Sequence, residues 1–263
     1  MHTEEARAQG FAVTYELLDL DLIAGGESAL PRLMREARTI YAGLNITHPC
    51  KQAVIPFLDA LSPEAEAIGA VNTVVFRGGK AIGHNTDWYG FSESMKLGLP
   101  DAELSHVLML GAGGAGAAVG YALLSVGASS LYVQDIDFAR ADALAERLQS
   151  LFPKAQLQAV SVSEQIAAPL NGVVNCTPVG MAKYPGAPLD IAQLRPHQWV
   201  ADIVYFPLDT ELLRRARALG CATLDGGGMA VFQAAEAFRL FTDRMPDHAR
   251  MLARFRERMS AAA

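Results

Sequence analysis

Cysteine is scarce in this chain: Cys50, Cys176 and Cys221 are the only three in 263 residues, far apart and without C-x-x-C spacing. That excludes a disulfide framework and a cysteine-built zinc site, and it fits a reducing cytoplasm. No apolar run reaches the length of a bilayer span, and the opening MHTEEARAQG has no signal-peptide pattern, so no membrane partner is expected. Positive charge is also short. Lys and Arg total 22 against 28 Asp and Glu, a net charge of −6 that argues against nucleic acid or anionic lipid as a partner. None of the seven tyrosines starts a Tyr-x-x-x-Lys, no G-x-S-x-G occurs, and no His/Cys/Asp cluster has the spacing of a catalytic zinc. These absences disfavour a tyrosine–lysine proton relay, a serine hydrolase and a zinc enzyme. Repeats and low-complexity segments are missing too.

What remains is the composition of an ordinary globular protein, 51% hydrophobic and 19% charged, long enough for two domains. The most informative stretch is His106–Gly116, HVLML-GAGGAG. Val107–Leu110 reads as a buried strand. It breaks into Gly111-Ala112-Gly113-Gly114-Ala115-Gly116, which fits G-x-G-x-x-G, and the proline-free, helix-favouring Ala117–Leu124 follows. In a strand–turn–helix setting one glycine permits the tight turn, one lets backbone N–H groups approach a pyrophosphate, and one lets helix and strand pack closely. The helix N-terminus adds partial positive charge for the phosphates.

A second strand, Leu131–Gln134, ends at Asp135, 19 positions beyond Gly116. A carboxylate there accepts hydrogen bonds from the adenine-ribose hydroxyls of NAD, whereas the 2′-phosphate of NADP wants a guanidinium. Ile136 and Asp137 follow instead, Asp137 reading as the cap of the next helix, and Arg140 is the nearest cation. NAD is therefore expected over NADP.

Upstream, the spacing predicts a helix over 2–9 ended by Gly10, and a half-buried strand from the alternation of Phe11, Val13, Tyr15 and Leu17. A helix through Leu30–Ile40 and a strand at Leu44–Thr47 complete a small α/β unit. The segment Asn45-Ile46-Thr47-His48-Pro49-Cys50-Lys51 gathers polar groups where a strand hands over to a helix. Lys51 sits at the helix end where the macrodipole disfavours a cation, which hints at function as much as surface solvation. Ser62-Pro63 starts another helix, and a hairpin turns at Arg77–Lys80. Asn72 stands at the hairpin's entry and Asp87 just after it, at the start of a helix. Asp87 reads either as a cap or as the partner of Lys51 in an acid–base pair. Further on, Gly172–Cys176 and Trp199–Tyr205 read as strands, Thr210–Leu219 as a helix, and Cys221–Leu224 as a short strand. Gly226-Gly227-Gly228 reads as a flexible joint, followed by an apolar helix over Met229–Phe241 that carries the lone amide Gln233. The last helix, about Asp247–Met259, is basic on one side, the pattern of a solvated face.

Seven motifs, GLNITHPCK, GAVNTVV, GHNTD, GAGGAG, NCTPVGM, IVYFPLDTELL and DGGGMAVFQAAEAF, resemble the shikimate dehydrogenase family in order and spacing across essentially the whole chain. The likeness is greatest to its NAD-dependent quinate/shikimate branch, because Asp135 replaces the Asn-Arg-Thr stretch that reads NADP. The resemblance implies an α/β protein with a substrate domain over 1–98 plus 226–263 and a Rossmann-type, doubly wound nucleotide domain over 99–225 inserted between. It implies Lys51 and Asp87 as the catalytic pair, with Thr47, Asn72, Asp87 and Gln233 on the ring hydroxyls and Tyr205 near the substrate. Gly111, Ala112, Gly113, Gly114, Ala115, Asp135 and Thr177 fall on the cofactor side, with Ile203 and Gly226 beside the nicotinamide. The implied activity is reversible oxidation of the C3 hydroxyl of shikimate or quinate, a cyclohexene or cyclohexane hydroxy acid. An aminoshikimate-type or other cyclohexane hydroxy-acid substrate and a non-catalytic ligand sensor remain as alternatives. In the family an extra strand and a Ser-x-Ser/Thr-Pro turn that grips the substrate carboxylate come first. Met1 falls within the helix that would follow that turn, so the expectation is an upstream start or weakened carboxylate binding.

Overall fold

A computed structural model describes residues 1–162 and 169–261; positions 163–168 and 262–263 of the two expected domains lie outside the described residues. The chain divides into two compact units, Met1–Thr86 with Gln233–Ala263, and Asp87–Phe232. Among the described residues no helix is long and apolar enough to cross a membrane.

The first unit contains α1 (His2–Ala8), α2 (Leu30–Ile40), β1 (Gly43–Asn45), the short α3 (Cys50–Ala53), β2 (Ala60–Leu61), α4 (Pro63–Ile68), β3 (Thr73–Arg77) and β4 (Lys80–His84). Its sheet runs β1-β3-β4-β2. β3 and β4 are the expected antiparallel hairpin, turned at Gly78 and Gly79, both at positive φ. Glycine reaches that conformation without steric penalty. The Ser62 hydroxyl caps α4 by accepting from the Ala65 N–H, and Gly69 closes the helix in the left-handed conformation. Met34, Ile46, Val54, Val71 and Val74 form the heart of the core beneath the sheet.

The second unit holds α5 (Asp87–Gly98), β5 (Val107–Leu110), α6 (Gly114–Ser125), β6 (Ser130–Gln134), α7 (Phe138–Leu151), β7 (Gln156–Val160), β8 (Gly172–Asn175), β9 (Trp199–Asp202), α8 (Glu211–Ala218), β10 (Ala222–Leu224) and the start of α9 (Gly226–Thr242). From Gln233 onward α9 belongs to the first unit, which ends with α10 (His248–Ala261). All neighbouring strands of the six-stranded sheet are parallel, in the order β10-β9-β8-β5-β6-β7. The chain lays β6 and β7 to one side of β5 and then β8, β9 and β10 to the other. That reversal makes a doubly wound sheet and opens a crevice at the carboxyl end of β5, the usual ligand position in this architecture. Every residue of β5, β8 and β9 is buried, which is why those segments read as apolar runs, broken only where β8 and β9 end at Asn175 and Asp202.

Four expectations are corrected. Phe11–Asp19 forms no strand. A strand exists only through a neighbouring ladder, and this segment has none; Leu17 is 87% exposed, while Phe11 packs on Phe238. The basic side of α10 is not simply solvated: Arg250 donates to both oxygens of Glu5, a residue 1% exposed on α1, and Arg258 pairs with Glu4. Gly226-Gly227-Gly228 is the first turn of α9, not a joint. A Cβ on Gly226 would lie 2.4 Å from the Ile203 carbonyl oxygen, and one on Gly228 would lie 2.2 Å from Ser94 Oγ on α5. Close packing demands these glycines. Finally, β9 stops at Asp202 instead of Tyr205, because the Asp202 carboxylate accepts from the Val204 N–H and bends the chain out of the ladder.

Candidate active site

The glycine turn of the second unit is built by exclusion. Gly111 has φ +99°, and a Cβ on it would lie 3.0 Å from the Cys176 carbonyl and 3.1 Å from the Thr177 methyl group. A Cβ on Gly116, in the first turn of α6, would fall 2.0 Å from the Gly111 carbonyl oxygen. Only hydrogen fits at either place. Gly113 is different, since its nearest neighbour would be the flexible Arg140 guanidinium at 3.3 Å. The twelve-residue α6 thus starts tightly against β5, with its N-terminal N–H groups aimed along the loop. A backbone cradle with no room for side chains at Gly111 and Gly116 fits a dinucleotide pyrophosphate.

Asp135 closes the loop from the neighbouring strand. Its Oδ2 accepts from the Ala112 N–H at 2.7 Å and its Oδ1 from the Asp137 N–H at 3.0 Å. Asp137 caps α7 through the Ala139 N–H, the role read from the sequence. Ile136, between them, is 97% exposed.

At the end of β8 lies a buried polar network of which sequence reasoning picked out only Thr177. Asn175 is fully buried. Its Nδ2 donates to the Val179 carbonyl at 2.8 Å and to Asp202 Oδ1 at 3.0 Å; its Oδ1 accepts from the Thr177 N–H and hydroxyl at 2.9 and 2.7 Å. Asp202 Oδ1 also accepts from the Val204 N–H, and Oδ2 from the Thr210 hydroxyl at 2.8 Å. Burial pushes the Asp202 carboxyl up to about 6, and the bonds from Val204, Thr210 and Asn175 pull the other way. The Cys176 thiol is held well above its ordinary range, by burial first and by the Asp202 charge second. The only signal in the sequence was an acid inside an apolar strand, Val200-Ala201-Asp202. Ile203 and Gly226, expected on the same side, are brought together by close backbone packing, and Tyr205 is 55% exposed.

In the first unit, Asn72 and Gln233 meet although they are far apart in sequence. Asn72 Nδ2 donates to the Thr86 hydroxyl at 3.0 Å and to Gln233 Oε1 at 3.5 Å, while Asn72 Oδ1 accepts from the Thr86 N–H at 2.7 Å. Thr86 and Thr73 complete this cluster, and neither stood out from the sequence. The Lys51 carbonyl accepts from the Val71 N–H at 2.8 Å, which sets α3 beside the entry to β3 and the backbone of Lys51 next to Asn72. Thr47 is exposed at the turn into α3. Asp87, 5% exposed, begins α5 in the second unit. Among the described residues no group of three or more His, Cys, Asp or Glu could hold a metal ion.

Residues 1–74 match the family model of the shikimate dehydrogenase substrate binding domain. The chain is 54% identical to a shikimate dehydrogenase (NADP(+)) of Streptomyces avermitilis, over 100% of this chain and 91% of the relative. It is 48% identical to a quinate/shikimate dehydrogenase (NAD(+)) of Corynebacterium efficiens, over 97% and 91%. A quinate dehydrogenase from Corynebacterium glutamicum, solved in complex with NAD, superposes with a TM-score of 0.91 at 45% identity, covering 97% of this chain and 92% of that one. On the fold, the glycine cradle and these likenesses together, the chain belongs to the shikimate dehydrogenase family of NAD(P)-dependent oxidoreductases.

Proposed function

We propose that the protein oxidises the C3 hydroxyl of shikimate, quinate or both, reversibly, with NAD rather than NADP. The observation that carries the cofactor preference is the position of Asp135, whose carboxylate is bonded to the Ala112 N–H of the glycine turn. An anion held there repels a 2′-phosphate and accepts from ribose hydroxyls. The NAD-linked Corynebacterium efficiens relative supports this reading. The NADP-linked Streptomyces avermitilis relative, together with the Arg140 guanidinium close to Gly113, makes NADP the reading to test against it.

In this proposal the nicotinamide, when bound, accepts the hydride from the ring carbon. Lys51 takes the hydroxyl proton, with Asp87 assisting, so the alcohol leaves as a ketone and no charge is stranded on the ring oxygen. Asn72, Thr47 and Gln233 hold the ring hydroxyls, with Tyr205 alongside. The Asn72–Thr86–Gln233 cluster supports this assignment, because two of the three groups are amides able to donate and accept at once. Gly111–Ala115, Asp135, Thr177, Ile203 and Gly226 serve the cofactor. The first unit would then be the substrate half and the second the nucleotide half of a cytoplasmic enzyme.

The test is a set of initial rates, read at the reduced-nicotinamide absorbance, for shikimate and quinate with NAD+ and NADP+. A higher kcat/KM with NAD+ on either acid is expected. A higher value with NADP+ on both overturns the cofactor assignment, and no turnover of either acid overturns the substrate assignment.

A further inference from the structure

Asp202 is an acid where an acid is costly. It is 2% exposed, in a strand whose every residue is buried. A buried carboxylate persists only where its acceptor capacity is filled, and three donors fill it here: Asn175 Nδ2, the Val204 N–H and the Thr210 hydroxyl. The bond to Asn175 decides more than local stability. A primary amide can sit either way round, and its neighbours choose. With Asp202 accepting on one side, the Asn175 NH2 must face Asp202 and the Val179 carbonyl, which leaves Oδ1 for the Thr177 N–H and hydroxyl. The Thr177 hydroxyl in turn accepts from the Val179 N–H at 3.2 Å. The whole turn 177–180 thus hangs on one amide, which the Asp202 carboxylate holds from outside the turn. That turn bears on the glycine loop, because the Thr177 methyl and the Cys176 carbonyl are what crowd Gly111.

We infer that Asp202 is a positioning residue for the cofactor half of the site, acting through Asn175 to fix the Thr177–Gly180 turn against the glycine loop. The inference rests on the nucleotide reading of the second unit. Asp202 need not touch the cofactor for this, since its effect passes through side chains already in contact.

The experiment compares NADH affinity, followed by the fluorescence of the reduced nicotinamide, for the wild type, Asp202→Asn, Asn175→Asp and Thr210→Val. The melting temperature and the shikimate KM are measured alongside. Asp202→Asn is expected to weaken NADH binding about tenfold, the cost of exchanging a charged acceptor for a neutral one at Asn175, with the shikimate KM within about twofold of wild type. Asn175→Asp sets two carboxylates against each other and is expected to be worse, by about thirtyfold or more. Thr210→Val removes a donor on the side of Asp202 away from Asn175; a lower melting temperature with affinity changed less than about threefold is expected. That split between affinity and melting temperature is a result a merely structural role does not give. Folded Asp202→Asn with wild-type NADH affinity overturns the inference, as does a Thr210→Val variant that loses as much NADH affinity as Asp202→Asn. A wild type that binds neither NADH nor NADPH removes the nucleotide reading itself, a result separable from both.

Discussion

The Asp135 carboxylate accepts a 2.7 Å hydrogen bond from the backbone N–H of Ala112, so the acid at the end of β6 and the turn after β5 are one assembly. Replacing Asp135 therefore removes both the proposed ribose acceptor and a clasp on the loop. Asp135→Asn should lower kcat/KM for NAD+ about tenfold to a hundredfold, the range for a lost bond to a charged group. Asp135→Ser with Ile136→Arg, the arginine entering at a position 97% exposed, should raise kcat/KM for NADP+ above that for NAD+. Initial rates with the two cofactors decide it; an unchanged ratio would show that Asp135 does not read the ribose.

The glycines of the turn should respond unequally. Gly116→Ala puts a carbon 2.0 Å from the Gly111 carbonyl oxygen, a backbone atom that cannot swing away. Destabilisation of about 1–3 kcal/mol and loss of NADH binding are expected. Gly113→Ala meets only the movable Arg140 guanidinium, at 3.3 Å, and the backbone there is extended. It should melt like the wild type yet bind NADH more weakly, since its methyl group enters the pyrophosphate's path. Thermal melts and NADH titrations of both variants separate a packing role from a binding one.

Lys51 carries the proposed proton transfer. Lys51→Ala should reduce kcat by about 10²–10⁴ while NADH affinity stays within about twofold. Near-normal turnover in this variant would dissolve the Lys51–Asp87 pair.

His2 gives a pH dependence with a definite sign. Burial first, and the N-terminal ammonium second, lower its pKa to about 4, and it stacks on Tyr15 at 4.9 Å. The unfolded chain, with the ordinary value of 6.5, binds the proton more readily. The contribution is therefore complete above pH 6.5 and is lost as pH falls toward 4, a change of about 3 kcal/mol. Asp202 works in the opposite sense: its carboxyl, raised from 3.8 to about 6, weakens the fold as pH rises between those values. Urea unfolding at pH 7 and pH 4.5 should show a smaller difference in His2→Gln than in the wild type. An equal difference would mean that His2 is protonated in the fold.

What could be read from the sequence was whatever its own neighbours determine. β5 and the glycine turn were legible because an apolar run, three glycines and a helix lie in immediate succession. Asp135 was legible because one strand and one helix fix its spacing. The parts that escaped depend on residues distant in sequence. Gly226 and Gly228 looked mobile because what crowds them is Ile203 and Ser94. Phe11–Leu17 looked like a strand because alternation is local, whereas a ladder needs a second segment. Asp202 drew no notice because its importance lies in Asn175 and Thr210, which only the parallel sheet and the start of α8 bring within reach.

The contact between Gly228 and Ser94 bears on the order of assembly. α5 begins at the first residue of the inserted unit and α9 carries its last, so their packing brings the chain's entry to that unit and its exit side by side. Ribosomal synthesis releases β1–β4 long before α10, the element whose Arg250 must reach the buried Glu5. Left open, that gap would be a closure across all of residues 87–232. Once the insert has folded, the gap costs only what a short link costs, because closure entropy grows with the logarithm of the free length. Folding of the insert thus shortens the closure that brings Arg250 of α10 to Glu5 of α1.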